Sequence, residues 1–267
     1  MKITAVYRAG RFSPNSEEND RLIMDAVVNL LRAGGSDVVC VQEDECEISC
    51  DSDLCITMCR SEQACNIIKK SGIASLNSAI SPELCSKQNV RSVMRCNNIP
   101  MAPDKGSYGY WVKRGDGQPQ GSSDVMFAAN DKEVELVTKQ FAKRGIYNVI
   151  TEAHVPGDLI KFYAVEGTNF FRMYYPTDDG KFKFNNELHN GRAEHYGFKT
   201  EQLKKDVMSL SRLLETPVCG GDCIVSADGS YSIIDFNDWP SFSRCRTEAA
   251  EAIVELIDKR YKNDEQL

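Results

Sequence analysis

The dipeptide Asp228-Gly229 lies between two apolar runs, one opened by Asp222 and the other formed by Tyr231-Ser232-Ile233-Ile234. A turn signal flanked in this way specifies two short antiparallel strands. The second run ends in Asp235 and Asn237, so acidic residues stand at corresponding ends of the hairpin and two carboxylates and an amide oxygen converge on one spot. These are hard oxygen ligands, suited to Mg²⁺ or Mn²⁺ rather than zinc, and such a site leaves room for phosphate oxygens and water. The same residues also fit an ordinary hairpin with solvated acids beside its turn.

The first forty residues add a second constraint. Ile3 to Tyr7 is a short β-prone run, and a loop from Arg8 to Asn15 follows it. A helix is expected from about Asn19, with Leu22, Ile23, Ala26, Val27, Leu30 and Leu31 on its apolar face and Gly34-Gly35 as its stop. Val38 to Val41 reads as a buried strand. This β–loop–α–β order implies a parallel pair with a right-handed crossover, the start of an open α/β sheet. Gln42 to Asp53 reads as loop, Ser61 to Lys70 as a helix ending at Gly72, and Asn77 to Cys96 as carrying another helix. The proline-bounded segment from Asn97 to Pro103 is a linker, at which the pattern changes.

Beyond it, strands are expected at Tyr108–Lys113, Val125–Ala128, Tyr147–Glu152, Leu159–Glu166 and Asn169–Tyr175, with a helix at Asp131–Arg144. Asp178 to Phe198 is polar and irregular. Thr200 to Leu214 reads as a helix with Thr200 as its N-cap, and a closing helix runs from about Thr247 to Tyr261.

Composition bounds the function. A net charge of −7 and a pI of about 5.2 argue against general nucleic-acid binding, which wants a basic face. There is no apolar run near membrane-spanning length and no signal-peptide core after Met1, so a cytoplasmic protein with no membrane partner is expected. Of the eleven cysteines, six fall between Cys40 and Cys65, yet no Cys-x-x-Cys pair occurs. Free, partly buried thiols are the expectation, with a structural metal or iron–sulfur site as the alternative.

Several polar residues stand where apolar patterning does not call for them. Lys113 closes a strand directly before the glycine-containing loop from Arg114 to Gly121, as phosphate binding requires and as an exposed hairpin loop also allows. In Glu152-Ala153-His154-Val155-Pro156-Gly157-Asp158 a strand ends in one carboxylate and a Pro-Gly turn brings a second. Lys161 and Arg172 interrupt apolar strands. They line an anionic pocket or lie on solvated strand faces.

Taken in order, these segments resemble the ATP-grasp superfamily over most of the chain. The match comprises an α/β N-terminal region, Lys87 in Glu83-Leu84-Cys85-Ser86-Lys87, the linker Asn98-Ile99-Pro100-Met101-Ala102-Pro103, Lys113 with its loop, the Glu152 to Asp158 hinge, and the final set Asp222, Asp235 and Asn237. The resemblance implies a mixed α/β (α+β) architecture. Residues 1–76 would be the N-terminal open α/β domain and 77–267 the two α+β subdomains that sandwich the nucleotide, with a small lid at about 104–152. It also implies ATP and Mg²⁺ (or Mn²⁺) as cofactors. Lys87 and Lys113 would contact phosphates, Glu152, Ala153, His154 and Val155 would form the adenine hinge, and Asp158 would bind ribose. Lys161 would reach phosphate or substrate, Arg172 would address the transferred phosphoryl group, and Asp222, Asp235 and Asn237 would hold the metal. The loop after Lys113 departs from the family in having fewer glycines and containing Pro119. Asp222 and Asp235 stand where many members carry glutamate. Aspartate at both is shared with the inositol trisphosphate kinase branch, which the strand Lys161-Phe162-Tyr163-Ala164-Val165 also resembles.

The leading expectation is therefore an ATP-dependent ligase in which a carboxylate becomes an acylphosphate and is captured by an amine or similar nucleophile. A small-molecule kinase and a non-catalytic ATP-binding protein are the alternatives. The partner is a small-molecule acceptor, with Asn185 to Arg192, Arg8 and Arg244 as candidates to read it, Asn190 and Arg244 foremost.

Overall fold

The computed structural model describes residues 1–49, 51–117, 121–180 and 189–262. The first unit contains β1 (Lys2–Tyr7), α1 (Glu17–Ala33), β2 (Asp37–Gln42), β3 (Leu54–Thr57), α2 (Glu62–Ser71) and β4 (Ala74–Leu76). Its four strands form one parallel sheet in the order β2-β1-β3-β4. The parallel β1–α1–β2 opening is the one its sequence pattern predicts.

Three local expectations are corrected. β2 is the edge strand, so Val38 is buried but Val39 and Cys40 face outward. In α1 the inward stripe runs through Ile23, Met24, Val27, Val28 and Leu31, while Leu30 is 38% exposed. β3 and β4, which the sequence pattern does not signal, are only four and three residues long. Yet β3 is buried at every position, because it lies between β1 and β4.

The chain continues through the short α3 (Ser81–Leu84) and α4 (Lys87–Cys96) to β5 (Tyr110–Arg114), β6 (Val125–Ala128), α5 (Asp131–Lys143) and β7 (Val149–Ala153). Asn130 caps α5 by accepting from the Glu133 backbone N–H at 3.2 Å, and Glu133 accepts in return from the Ala129 N–H at 2.9 Å. An antiparallel sheet in the order β6-β5-β7 packs on α5 around Val112, Phe141 and Ile146.

The third part holds β8 (Asp158–Val165), β9 (Phe171–Tyr174), the single turn α6 (Pro176–Asp179), α7 (Thr200–Leu213), β10 (Val218–Val225), β11 (Tyr231–Asp238) and α8 (Arg246–Ile257). Lys199, not Thr200, stands at the N-cap of α7, and it makes no side-chain capping bond. The strands form an antiparallel sheet in the order β11-β10-β8-β9. The Asn97–Pro103 linker runs beside this sheet, where Ile233 donates its N–H to Pro100 O at 2.9 Å.

Two apolar cores result. One gathers α4, α7 and one face of the β8–β10–β11 sheet around Phe162, Leu203 and Phe236. The other gathers β1, β3, α1 and α8 with Trp239 and Phe242, so the last helix completes the core of the first sheet. Among the described residues no helix is long and apolar enough to cross a membrane. Burial decides the cost of truncation. Leu31→Ala, at a wholly buried position, is expected to lower the unfolding free energy by about 2–5 kcal/mol. The neighbouring Leu30→Ala should change it by only about 0.5 kcal/mol; urea titration of both variants checks the difference.

Candidate active site

The hairpin of β10 and β11 holds Asp222 directly across from Asp235. Asp222 therefore lies mid-strand, not at the head of its strand as the apolar pattern suggests, because β10 already begins at Val218. Cross-strand partners project from the same face, as does a residue two positions on, so Asp222, Asp235 and Asn237 form one oxygen-bearing patch. The backbone beside it tolerates no side chain. A Cβ on Gly221 would lie 2.1 Å from Asp235 O and 2.5 Å from the Phe162 ring.

The patch opens on a cavity of about 300 Å³, which is also lined by Lys87, Lys113 and Lys161. Lys87, at the start of α4, pairs with Asp235, whose other oxygen accepts from Asn237 Nδ2 at 3.0 Å. Lys161 donates to Asp222 Oδ1 at 3.1 Å. Lys113 pairs with Glu152 and donates to Ile234 O at 3.0 Å. Glu152 is buried between Lys113 and Arg91, whose Nη1 lies 2.7 Å away. Burial alone would raise the Asp235 pKa. The charges of Lys87 and Lys113, with hydrogen bonds from Lys87 and Asn237, outweigh it and hold the carboxyl well below the usual range.

The hinge residues border a smaller side pocket, together with Trp111, Leu159 and Asn190. Ala153 and His154 give their backbone N–H groups to Pro103 O and Gly109 O, each at 2.8 Å. Burial, and then the neighbouring His189, lower the His154 pKa, and its Nδ1 accepts from Trp111 Nε1 at 3.1 Å. Asn190 donates to Val155 O at 3.1 Å.

Three candidates lie elsewhere. Both oxygens of Asp158 are taken by backbone N–H groups, of Glu194 at 2.7 Å and Tyr196 at 2.8 Å, and it lines neither pocket. Arg172 pairs with Glu248 on an exposed face, so it does not join Lys161 in one pocket. Arg244 lies over the Tyr174 ring, 5.9 Å from its centroid. In the proposed acceptor loop, 185–188 lie outside the described residues, as do Pro119 and Cys50.

The N-terminal sheet contributes Arg8, already a candidate from the sequence, and Arg60, which the sequence pattern does not single out. Arg8 follows β1 and Arg60 lies just beyond β3, at the carboxyl ends of parallel strands, and both line the cavity. Arg8 donates to Met58 O, Asp20 and Trp239 O at 2.9–3.0 Å, and Arg60 lies 2.7 Å from Asp238. Their position is a usable signal, since ligands of open α/β sheets collect at that edge.

Over 97% of its length the chain resembles D-alanyl-alanine synthetase A from Vibrio cholerae, covering 98% of that chain with a TM-score of 0.69 at 10% identity. D-alanine–D-alanine ligase from Bacillus anthracis complexed with ATP gives 0.64 at 12% identity, with 99% of each chain covered. A RimK domain ATP-grasp protein from Sphaerobacter thermophilus gives 0.62 at 14%, covering 96% of this chain and 99% of that one. The chain has the ATP-grasp fold. No family model matches the sequence, and no curated protein matches it significantly.

Among the described residues no cysteine forms a disulfide, and no group of three or more His, Cys, Asp and Glu side chains is placed to hold a metal. Burial raises most of the thiols, Cys65 and Cys85 to about 12. Asp235 behaves oppositely. Because the Asp235 pKa is lowered on folding, its contribution to stability is complete above the unfolded carboxyl value and is lost as pH falls through the lower folded one. The stability difference between the native chain and Asp235→Asn should be constant above about pH 5 and shrink below about pH 4. Thermal unfolding of both across that range measures it; a pH-independent difference contradicts the depressed pKa.

Proposed function

We propose that the protein is an ATP- and Mg²⁺-dependent ligase that activates a carboxylate as an acylphosphate for capture by an amine or similar nucleophile. One observation carries the proposal: Asp222, Asp235 and Asn237 share a cavity face with Lys87, Lys113 and Lys161. The donor set suits Mg²⁺, being two carboxylates and an amide oxygen on adjacent strands. Bound there, the metal would neutralise charge on the phosphates of ATP.

The work of the chain is positioning and electrostatic stabilisation. Lys87 and Lys161 now rest against the carboxylates that would take the metal, so each can exchange a carboxylate oxygen for a phosphate oxygen and stay paired. Lys113 keeps Glu152 as its partner and stays aimed by Ile234 O. Trp111, Leu159 and the hinge offer the apolar slot for the base. Arg172, engaged by Glu248, has no role in this scheme.

Asp235→Asn and Asn237→Ala should each lower Mg²⁺-dependent turnover by about 10²-fold or more, with the fold retained on circular dichroism. Undiminished turnover in both refutes the metal assignment. Incubation with ATP and acid–amine pairs, followed by phosphate analysis, tests the reaction type. Inorganic phosphate released with an amide product supports a ligase, whereas phosphate carried onto a stable alcohol identifies a kinase.

A further inference from the structure

Cys46 and Cys59 meet beyond the carboxyl ends of β2 and β3, beside the cavity but not in its wall. Cys46 directly follows the turn Glu43–Glu45 that leaves β2, and Cys59 is the second residue after β3. They are 7% and 3% exposed and belong to one small cluster with Val6, Cys55, Ala64 and Ile68. Within it the two thiols are hydrogen-bonded to each other. Cys85 shows the other arrangement, a buried thiol resting on an oxygen, Thr216 Oγ1 at 3.3 Å.

The backbone on both sides of the pair is tied to one carboxylate. Glu43 is buried and accepts from the N–H groups of Ala9 and Arg60 at 2.7 Å and of Ser61 at 2.5 Å. Cys46 donates its own N–H to Glu43 O at 3.3 Å, and Cys59 donates its N–H to Thr57 Oγ1 at 3.1 Å. The two segments cannot drift apart without breaking these bonds, so the sulfurs are kept face to face.

The pair is chemically unequal. The hydrogen bond from Cys59 lowers the pKa of Cys46 against burial and the charge of Glu43, whereas the same bond, followed by burial, raises Cys59. Cys46 is also the more exposed of the two. A thiolate that solvent can reach is the sulfur that reacts, and a thiol sealed in apolar surroundings, such as Cys55 or Cys219, is inert. Two thiols are too few for a structural metal site, and among the described residues no larger ligand group is formed. The chemistry open to the pair is oxidation.

We propose that Cys46 and Cys59 are an oxidisable dithiol, which hydrogen peroxide converts into a disulfide fastening the segment after β2 to the turn after β3. The Cys46 thiolate attacks one peroxide oxygen, the O–O bond breaks, and the departing hydroxide takes up a proton as water, leaving a sulfenic acid. The Cys59 sulfur then attacks the Cys46 sulfur. The S–S bond forms as the S–O bond breaks, and the hydroxyl leaves with the Cys59 proton as a second water. Two thiols are oxidised by two electrons and the peroxide is reduced to two waters. The new bond closes a loop that contains the whole of β3, and it ends one residue from Arg60 in the cavity wall. This proposal stands apart from the ligase reading.

The test is treatment of the reduced, folded full chain with hydrogen peroxide, then iodoacetamide, then digestion without reductant and mass spectrometry. A Cys46–Cys59 linked peptide should be the main product and should disappear with dithiothreitol. In Cys59→Ser the reaction should stop at Cys46 as a sulfenic acid that dimedone traps, whereas Cys46→Ser should leave Cys59 as the thiol. Should either serine variant fail to fold on circular dichroism, alanine at the same position reads the same outcome. Closing the loop should also raise the thermal midpoint of the oxidised native chain by about 5 °C or more over the reduced one, a difference absent from Cys46→Ser. A main product joining any other pair of cysteines, a thiol pair that peroxide leaves untouched in the folded chain, or a linkage that fails to raise the midpoint overturns the proposal.

Discussion

A lysine or arginine taken out of water keeps its charge only beside an anion, and this requirement ties the elements of the molecule together. Lys87–Asp235 joins α4 to β11, Lys113–Glu152–Arg91 joins β5 and β7 to α4, and Arg60–Asp238 joins the N-terminal sheet to the end of β11. Removing one partner of such a buried pair leaves the other stranded, at a cost of about 3–5 kcal/mol. Lys161–Asp222 is more open, so its energetic weight is smaller and its freedom to change partners greater. The same pairs that align three sheets thus hold the cations at the cavity wall, and β11 is where they meet.

The narrow backbone at Gly220-Gly221 belongs to this arrangement. The Cβ missing from Gly220 would come within 2.9 Å of Phe162 O and of Pro240, and the one missing from Gly221 would strike β11 itself. Glycine lets β8, β10 and β11 lie close enough for the acidic patch and Lys161 to share one surface. The register then slips by one residue between Asp222 and Cys223, a bulge next to the carboxylate.

Much of this was legible in the residues. Asp228-Gly229 and its flanking runs located the hairpin, and the ordered lysines and carboxylates pointed to the architecture that the structural comparison bears out. What the pattern hid has physical causes. β3 is four residues long, too short to show a period, and is recognised only by being enclosed between β1 and β4. Leu30 and Met24 exchange roles because the buried stripe of α1 follows where α8 lies. Arg60 finds Asp238 across 178 positions of sequence, a separation at which neither spacing nor local composition carries information. Arg172 sits in an apolar strand as Lys161 does, but its partner Glu248 is on α8, which no local pattern foretells.

The packing of α8 against α1 also bears on how the molecule is made. Ile253, Leu256 and Ile257 share a core with Ile3, Val27 and Leu31, so residues synthesised first wait for a helix synthesised more than two hundred positions later. On the ribosome the emerging parallel sheet would keep an apolar face open until that helix arrives, a period in which chaperones or misplaced contacts can reach it. Docking of α8 is then the event that converts the nascent chain into a protected one, and the segment from Trp239 to Phe242, which lines the cavity and joins the same core, is drawn into place with it.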